Sequence, residues 1–383
     1  MISSFSRLVI LLSFIVKPKS PRNQTMNRLC QSSYGSLEAV INFAGCNGNP
    51  EQRLVHFYRD RVSGTWSKAD MISTRPFSGG SIIQNCTKRN RNQNHGDFEV
   101  LVLEDDGLMK HYTRDNTIPV DSGKYAWQLS ATVNEGLHQQ YGKVVVRDAA
   151  PLYQMKSPIS ESSNRNFLQT ALFTDNGRIL HYHCPQPEEP DSKEIRHQWK
   201  FVDRITNYAT GPACLYQDSE DDLKALVPSS DGIVEFSFTC GAWNRLRNIP
   251  DTSGPACIYS SNPAEPWVVY AVVRCENQLL IKSNKKNEAD TSTWSTCPTQ
   301  LPSPLRKLYR SSHHKEHGGN SMAIISQSLC SLGHSPNTEA IVFHPCGTGW
   351  QDRWMVLHWS RLTVTQDWVV SGVVMAEVKG MPM

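Results

Sequence analysis

Two stretches about 300 residues apart repeat one another, and this repeat constrains the fold more than any other feature of the 383-residue chain. Residues 38–60 read EAVINFAGCNGNPEQRLVHFYRD, and residues 339–361 read EAIVFHPCGTGWQDRWMVLHWSR. Each opens on Glu-Ala, runs through an apolar strand, crosses a Gly/Cys turn and returns through an apolar-His-aromatic strand to Arg. Four further copies lie between them. A unit of a few short strands cannot bury both of its faces alone, so copies must stack on one another.

Each copy divides into four strand-like pieces. The first is a short apolar run, as in Leu29-Cys30-Gln31, Ile82-Ile83-Gln84, Leu152-Tyr153-Gln154, Leu215-Tyr216-Gln217, Ile258-Tyr259-Ser260 and Ile325-Ser326-Gln327. Two of these sit in near-identical contexts, GPACLYQ at 211–217 and GPACIYS at 254–260, 43 residues apart. The second piece is longer and rich in Val, Ile and Phe (37–43, 98–104, 167–173, 223–229, 267–273, 339–344), the composition of a buried strand. Asp106-Gly107, Asn176-Gly177 and Asp231-Gly232 follow, supplying the positive φ of a tight hairpin. The third piece covers 54–59, 109–114, 179–184, 233–238, 280–284 and 356–361, and the fourth begins near Trp66, Trp127, Trp199, Trp243, Trp294 and Trp368. No segment holds a 3.6-residue apolar period over three turns, so almost no helix is expected. A repeat near 40–50 residues with four strands per unit predicts an all-β fold, a β-propeller of about six four-stranded antiparallel blades. Leftover segments at 134–148 and 301–317 leave a seventh, degenerate blade open. The first and last units carry full strand sets, so the ring is expected to close by packing one on the other.

Length alone would suggest two or three domains, but a propeller is one, here 27–383, behind a disordered or signal-like segment at 1–26. Residues 8–16 (LVILLSFIV) form an apolar run too short to span a bilayer, followed by Lys17-Pro18-Lys19 rather than a small-residue cleavage site. No other stretch is a membrane candidate, and secreted and cytoplasmic locations stay equally open. Asn23-Gln24-Thr25 and Asn85-Cys86-Thr87 match the glycosylation triplet, a pattern common by chance. A formal charge of +3 gives no field for nucleic acid. The basic run 88–94 (KRNRNQN) and the polar run 186–193 (QPEEPDSK) read as solvated loops. Eleven cysteines without a CxxC pair argue against zinc and for buried thiols inside strands. No cofactor or metal is implied.

At repeat level the chain resembles β-propeller lectins, both the fungal fucose-specific lectins and the Photorhabdus-type propellers. The residues that carry the resemblance are Ser81 to Gln84, Phe98 to Glu104, Asp106 to Asp115 and Trp127. The resemblance spans about 27–374 and implies sugar binding in clefts between neighbouring blades, without catalysis. The fungal lectins set an Arg from one strand against a Glu from the next, closed by an aromatic ring. Here the second strands carry no such Arg, and only Glu235 occupies the third-strand position held elsewhere by His56, His111, His181 and His358. The ligand is thus expected to be fucose or another glycan on glycoconjugates.

Sugar sites combine an aromatic face with a few fixed donors and acceptors. The repeated His-aromatic-x-Arg strand and the following tryptophans offer both. The candidate ligand-binding residues are His56, Tyr58, Arg59, Trp66, His111, Tyr112, Arg114, Trp127, His181, Glu235, His358, Trp359 and Arg361. Alternation puts His56 and Tyr58 on one face and Phe57 and Arg59 on the other. The competing structural reading has the tryptophans and histidines packing between blades, the arginines pairing with Asp60 and Asp115, and the strand-end glutamines serving backbone groups near the centre. Catalytic patterns are missing. The SGTW at 63–66 and TSTW at 291–294 lack the Asp of a sialidase box, having Arg61 and Ala289 there. There is neither a nucleophile elbow nor a phosphate loop. The pair His313-His314 lies in a polar loop. The expectation is a non-catalytic, lectin-like module with one to three competent sites. The alternative is a protein-interaction propeller that has kept none, and a homo-oligomer is left open.

Overall fold

The computed structural model describes residues 29–32, 36–43, 53–77, 80–85, 96–116, 127–137, 141–142, 144–150, 152–156, 166–186, 198–217, 222–249, 252, 256–260, 268–275, 278–286, 292–296, 322–324, 338–345, 353–361 and 369–379. Apart from Leu137 and Tyr141, which are helical, every described element is a strand. The first sheet runs β1 (Leu29–Gln31), β2 (Leu37–Phe43), β3 (Arg53–Arg59), β4 (Trp66–Ser73). The second runs β5 (Ser81–Gln84), β6 (Phe98–Leu103), β7 (Met109–Arg114), β8 (Trp127–Thr132). The third has β9 (Val146–Ala149) and β10 (Tyr153–Lys156) sharing one edge of β11 (Asn166–Thr174), then β12 (Ile179–Pro185) and β13 (Lys200–Thr206). β14 (Cys214–Gln217), β15 (Leu223–Ser229), β16 (Gly232–Thr239) and β17 (Ala242–Ile249) make the fourth. β18 (Ala256–Ser260), β19 (Val268–Cys275), β20 (Gln278–Lys286) and β21 (Ser292–Thr296) make the fifth. The sixth holds β22 (Met322–Ile324), β23 (Thr338–Pro345), β24 (Arg353–Arg361) and β25 (Val369–Lys379). Neighbouring strands within each sheet are antiparallel, in chain order.

Burial follows strand position. The second strand is packed on both faces: every residue of FEVLVL in β6 is buried, as are six of seven in LKALVPS of β15. A strand covered on both sides reads as a nearly continuous apolar run. The fourth strands are the rim: β17 is largely exposed and β4 and β8 are mostly half-buried, and they carry exposed charges such as Lys68 and Arg245. Charge on an edge strand discourages pairing with other chains.

The cores lie between sheets. Cys30, Val40 and Leu54 of the first sheet pack with Phe98, Val100 and Trp127 of the second. Leu101 and Met109 pack with Leu168, Leu172 and Leu180 across the next seam, and Ala171 and Ile179 with Ala225, Val234 and Phe236 across the third. Tyr216 and Leu226 meet Trp294 of the fifth sheet. Val374 of β25 joins Leu37, Ile41 and Phe57 of the first sheet, so the last sheet seats on the first. This is a β-propeller, and its described residues form six sheets.

Three sequence expectations need correction. Part of segment 134–148, set aside as a possible blade remnant, joins the third sheet as β9. The sixth first-strand lies at Met322–Ile324, upstream of the expected position at 325–327, which is outside the described residues. Gln186, read as part of a surface loop, is buried and accepts the Asn85 amide N–H at 2.5 Å. Segments 1–28, 88–94 and 301–317, with His313 and His314, fall outside the description.

Candidate functional site

Side chains alternate across each third strand, so its histidine faces the next sheet and its arginine the preceding one. In four seams the histidine meets a fourth-strand tryptophan edge-on. His56 lies 5.5 Å from Trp127, His111 5.5 Å from Trp199, His181 5.4 Å from Trp243, and His358 5.5 Å from Trp66, between ring centroids. The last pair joins the sixth sheet to the first. Trp199 Nε1 donates to His111 Nδ1 at 3.2 Å, and Trp243 Nε1 to His181 Nδ1 at 3.3 Å. An Nδ1 that accepts leaves the proton on Nε2. That nitrogen faces a second-strand acceptor, Glu99 Oε2 at 2.8 Å for His111 and Gln169 Oε1 at 2.7 Å for His181. His56 Nε2 likewise faces Glu38 Oε2 at 2.9 Å. Burial drives the His111 and His181 pKa values down to about 3, His183 adding a smaller repulsion at His181. Both imidazoles are therefore neutral links between sheets.

The remaining candidates are distributed as follows. His56, His111, His181, Glu235 and His358 are enclosed, whereas Tyr58, Arg59, Trp66, Tyr112 and Trp359 are partly exposed. Arg59 donates through Nε to Gly64 O at 3.0 Å, while Asp60 Oδ1 accepts the Val62 and Ser63 amides. Arg59 thus closes its hairpin rather than pairing with Asp60, because the carboxylate is already engaged by the turn. Tyr112 donates to Glu104 Oε1 at 2.7 Å, and burial with the Glu104 charge pushes its phenol pKa well up. Arg114 and Trp127 are almost wholly buried. The Arg361 side chain lies outside the described residues. Of the strand-end glutamines, Gln84 serves the backbone as expected, donating to Gly96 O at 3.0 Å, but Gln154 donates to the Asn85 side chain at 2.6 Å.

The seam between the fourth and fifth sheets differs from these four. Glu235, on β16 in the histidine position, accepts from Arg247 Nε at 2.6 Å, from Trp294 Nε1 at 3.2 Å and from the Tyr216 hydroxyl. The carboxylate is fully buried, while about a third of the Arg247 side chain is exposed (32%). A carboxylate, a guanidinium and an indole thus converge where one sheet meets the next. The buried carboxylate holds the guanidinium through its Nε. Sequence reasoning singled out Glu235 but missed Arg247, because the arginine comes from the fourth strand, not the second.

Among the described residues no group of three metal-ligating side chains comes together, and no helix is long and apolar enough to cross a membrane. Cys30, Cys184 and Cys214 are buried cysteines outside any disulfide, and Cys240 is an exposed one.

No family model matches the sequence, and no curated protein matches it either. Solved structures do. The fucose-specific lectin of Aleuria aurantia superposes with a TM-score of 0.50 at 11% identity, covering 92% of this chain and 95% of the lectin. A variant of that lectin in complex with Fucα1-6GlcNAc gives 0.51 at 11% identity, over 93% and 98%. The SapL1 lectin in complex with α-methyl fucoside gives 0.50 at 12% identity, over 92% and 97%. The chain is structurally similar to β-propeller lectins along nearly its whole length. At this identity the likeness establishes the fold.

Proposed function

We propose that the chain is a non-catalytic, lectin-like carbohydrate-binding propeller whose sites lie in the seams between sheets. The observation that carries this reading is the Glu235–Arg247–Trp294 cluster. A partly exposed guanidinium held by a buried carboxylate is a positioned charged group of the kind that orients a sugar's hydroxyls. The fold likeness to fucose-binding lectins supports the same reading, with fucose or a related neutral sugar as ligand. The test is a glycan array probed with the full chain, Arg247→Ala and Arg247→Lys. Loss of a charge-assisted pair weakens binding by about 10–100-fold, and Arg247→Lys should fall short as well, since it keeps the charge but loses the fork. A folded parent that leaves the array blank would instead favour a protein-interaction scaffold.

A further inference from the structure

Among the described residues, one cation in the seam between the first and second sheets has no ion-pair partner. The cross-strand register Phe98↔Arg114↔Trp127 places these three side chains on one face of the second sheet, the face turned to the first. Arg114 is 5% exposed, and its contact is with the Phe98 ring, 5.9 Å from guanidinium to centroid. Its Nε is buried without a hydrogen-bond partner, and so is Trp127 Nε1 beside it. Asp97, next to Phe98 in the chain, accepts the Asn116 amide N–H at 3.0 Å. The other arm of the seam is His56, held by Glu38.

Corresponding positions show how the fold otherwise fills this place. The first sheet has Arg59, satisfied by Gly64 O. The third has Cys184, buried with Leu168 and Trp199. The fourth has Phe238, its ring tilted against Trp243 with centroids 5.3 Å apart. Packing therefore does not require a cation here. A guanidinium cannot shed its proton, and a buried charge without an acceptor is destabilising. Neither Arg114 Nε nor Trp127 Nε1 has an acceptor within hydrogen-bonding distance among the described residues, and the unpartnered Asp70 Oδ2 of the first sheet does not reach them.

We propose that this seam takes an acidic carbohydrate, with a carboxylate or sulfate oxygen pair on the Arg114 guanidinium and Trp127 N–H as a further donor. The planar fork of Arg matches both groups. Hydroxyl pairs of neutral sugars carry no charge to offset the guanidinium. The inference rests on the carbohydrate-binding reading and adds to it a second seam with a different ligand class.

Calorimetric titration of the full chain with methyl β-glucuronide, methyl β-glucoside 6-sulfate and methyl β-glucoside tests it. Arg114→Gln, Arg114→Phe and Arg247→Ala are titrated alongside. The parent should bind one or both charged sugars at least about tenfold more tightly than the neutral one, and which charged sugar responds separates carboxylate from sulfate. Both Arg114 variants should lose that preference while melting no lower than the parent, since they remove an uncompensated charge. Arg114→Gln serves alone if the phenylalanine disrupts folding. Equal affinity for charged and neutral sugars in the parent, or a preference that survives Arg114→Gln, would overturn the proposal. Neutral binding that depends on Arg247 without any charge preference would overturn it and leave the broader reading standing. A parent that binds none of the three sugars overturns the acidic-sugar proposal and leaves the broader reading to the glycan array.

Discussion

A buried imidazole that links two sheets does so only while neutral, and here burial holds two in that state. His111 and His181 each accept an indole N–H on Nδ1. Protonation would turn the acceptor into a donor facing a donor. Their folded-state pKa values, near 3, lie below the unfolded histidine value, so the unfolded chain binds the extra protons. The stabilisation is complete above about pH 6.5 and is lost as pH falls towards 3. By pH 4.5 each histidine should have given up on the order of 2–3 kcal/mol. Urea unfolding midpoints at pH 7 and 4.5 measure this loss. His181→Gln, which can still accept from Trp243 and meet Gln169, should show a smaller fall with pH than the parent. An equal fall would mean that carboxylates alone set the acid limit. Asn85 illustrates the same dependence on surroundings. It opens a glycosylation triplet of the kind that arises by chance, and its Nδ2 donates to Glu99 and Gln186 in a buried network while its Oδ1 accepts from Gln154. A glycan on Nδ2 would displace both acceptors.

At the scale of strands and turns, the hairpins carry the tightest steric demands. Gly232 has φ +110, and a Cβ there would stand 2.6 Å from Thr252 O, a backbone atom. Thr252 is itself fixed, its hydroxyl accepting the Ile233 amide and donating to Ile249 O. Gly232→Ala should therefore destabilise by about 2–3 kcal/mol, the strained φ adding to the clash. A thermal melt at pH 7 checks it, and an unchanged Tm would show that the β15–β16 turn relaxes freely. These elements were legible in the sequence because their physics is local. Apolar runs such as FEVLVL, Asp-Gly and Asn-Gly turns, and a tryptophan opening most fourth strands need no partner to be recognised. The candidate site was less legible. Glu235 stood out as the odd residue in a column of histidines, but Arg247 sits in AWNRLRNI, a rim strand where a second arginine gives no signal. Trp294 arrives from the next sheet, 59 residues on. Nor does the letter R distinguish Arg59, bonded to its own turn, from Arg114, buried against a ring. Register and neighbouring sheets decide that difference.

The whole molecule closes where Trp66 of the first sheet meets His358 of the last, with Gly372 of β25 leaving room for the indole edge. A Cβ on Gly372 would lie 3.4 Å from Trp66 Cδ1, ordinary contact, so closure depends on the indole filling the seam. This contact differs in kind from its counterparts. Trp199 and Trp243 join sheets that are also neighbours in sequence, whereas Trp66 joins sheets nearly 300 residues apart. Without a closing contact a ring becomes an open array, in which stability is a sum over neighbours and the ends open first. Trp66→Ala should cost about 3 kcal/mol, and its effect should concentrate at the ends. Hydrogen exchange should quicken in the first and sixth sheets well before the third and fourth. Trp243→Ala, within the array, should cost a similar amount and loosen the third and fourth sheets instead. A uniform loss of protection in both variants would show that the chain unfolds as one unit regardless of closure. The consequence for binding follows from the same geometry. A closed ring fixes the spacing between seams, and avidity for a surface of repeated glycans depends on that spacing. Trp66→Ala should therefore weaken adhesion to a dense glycan surface while leaving affinity for a soluble monosaccharide at the Arg247 seam nearly unchanged.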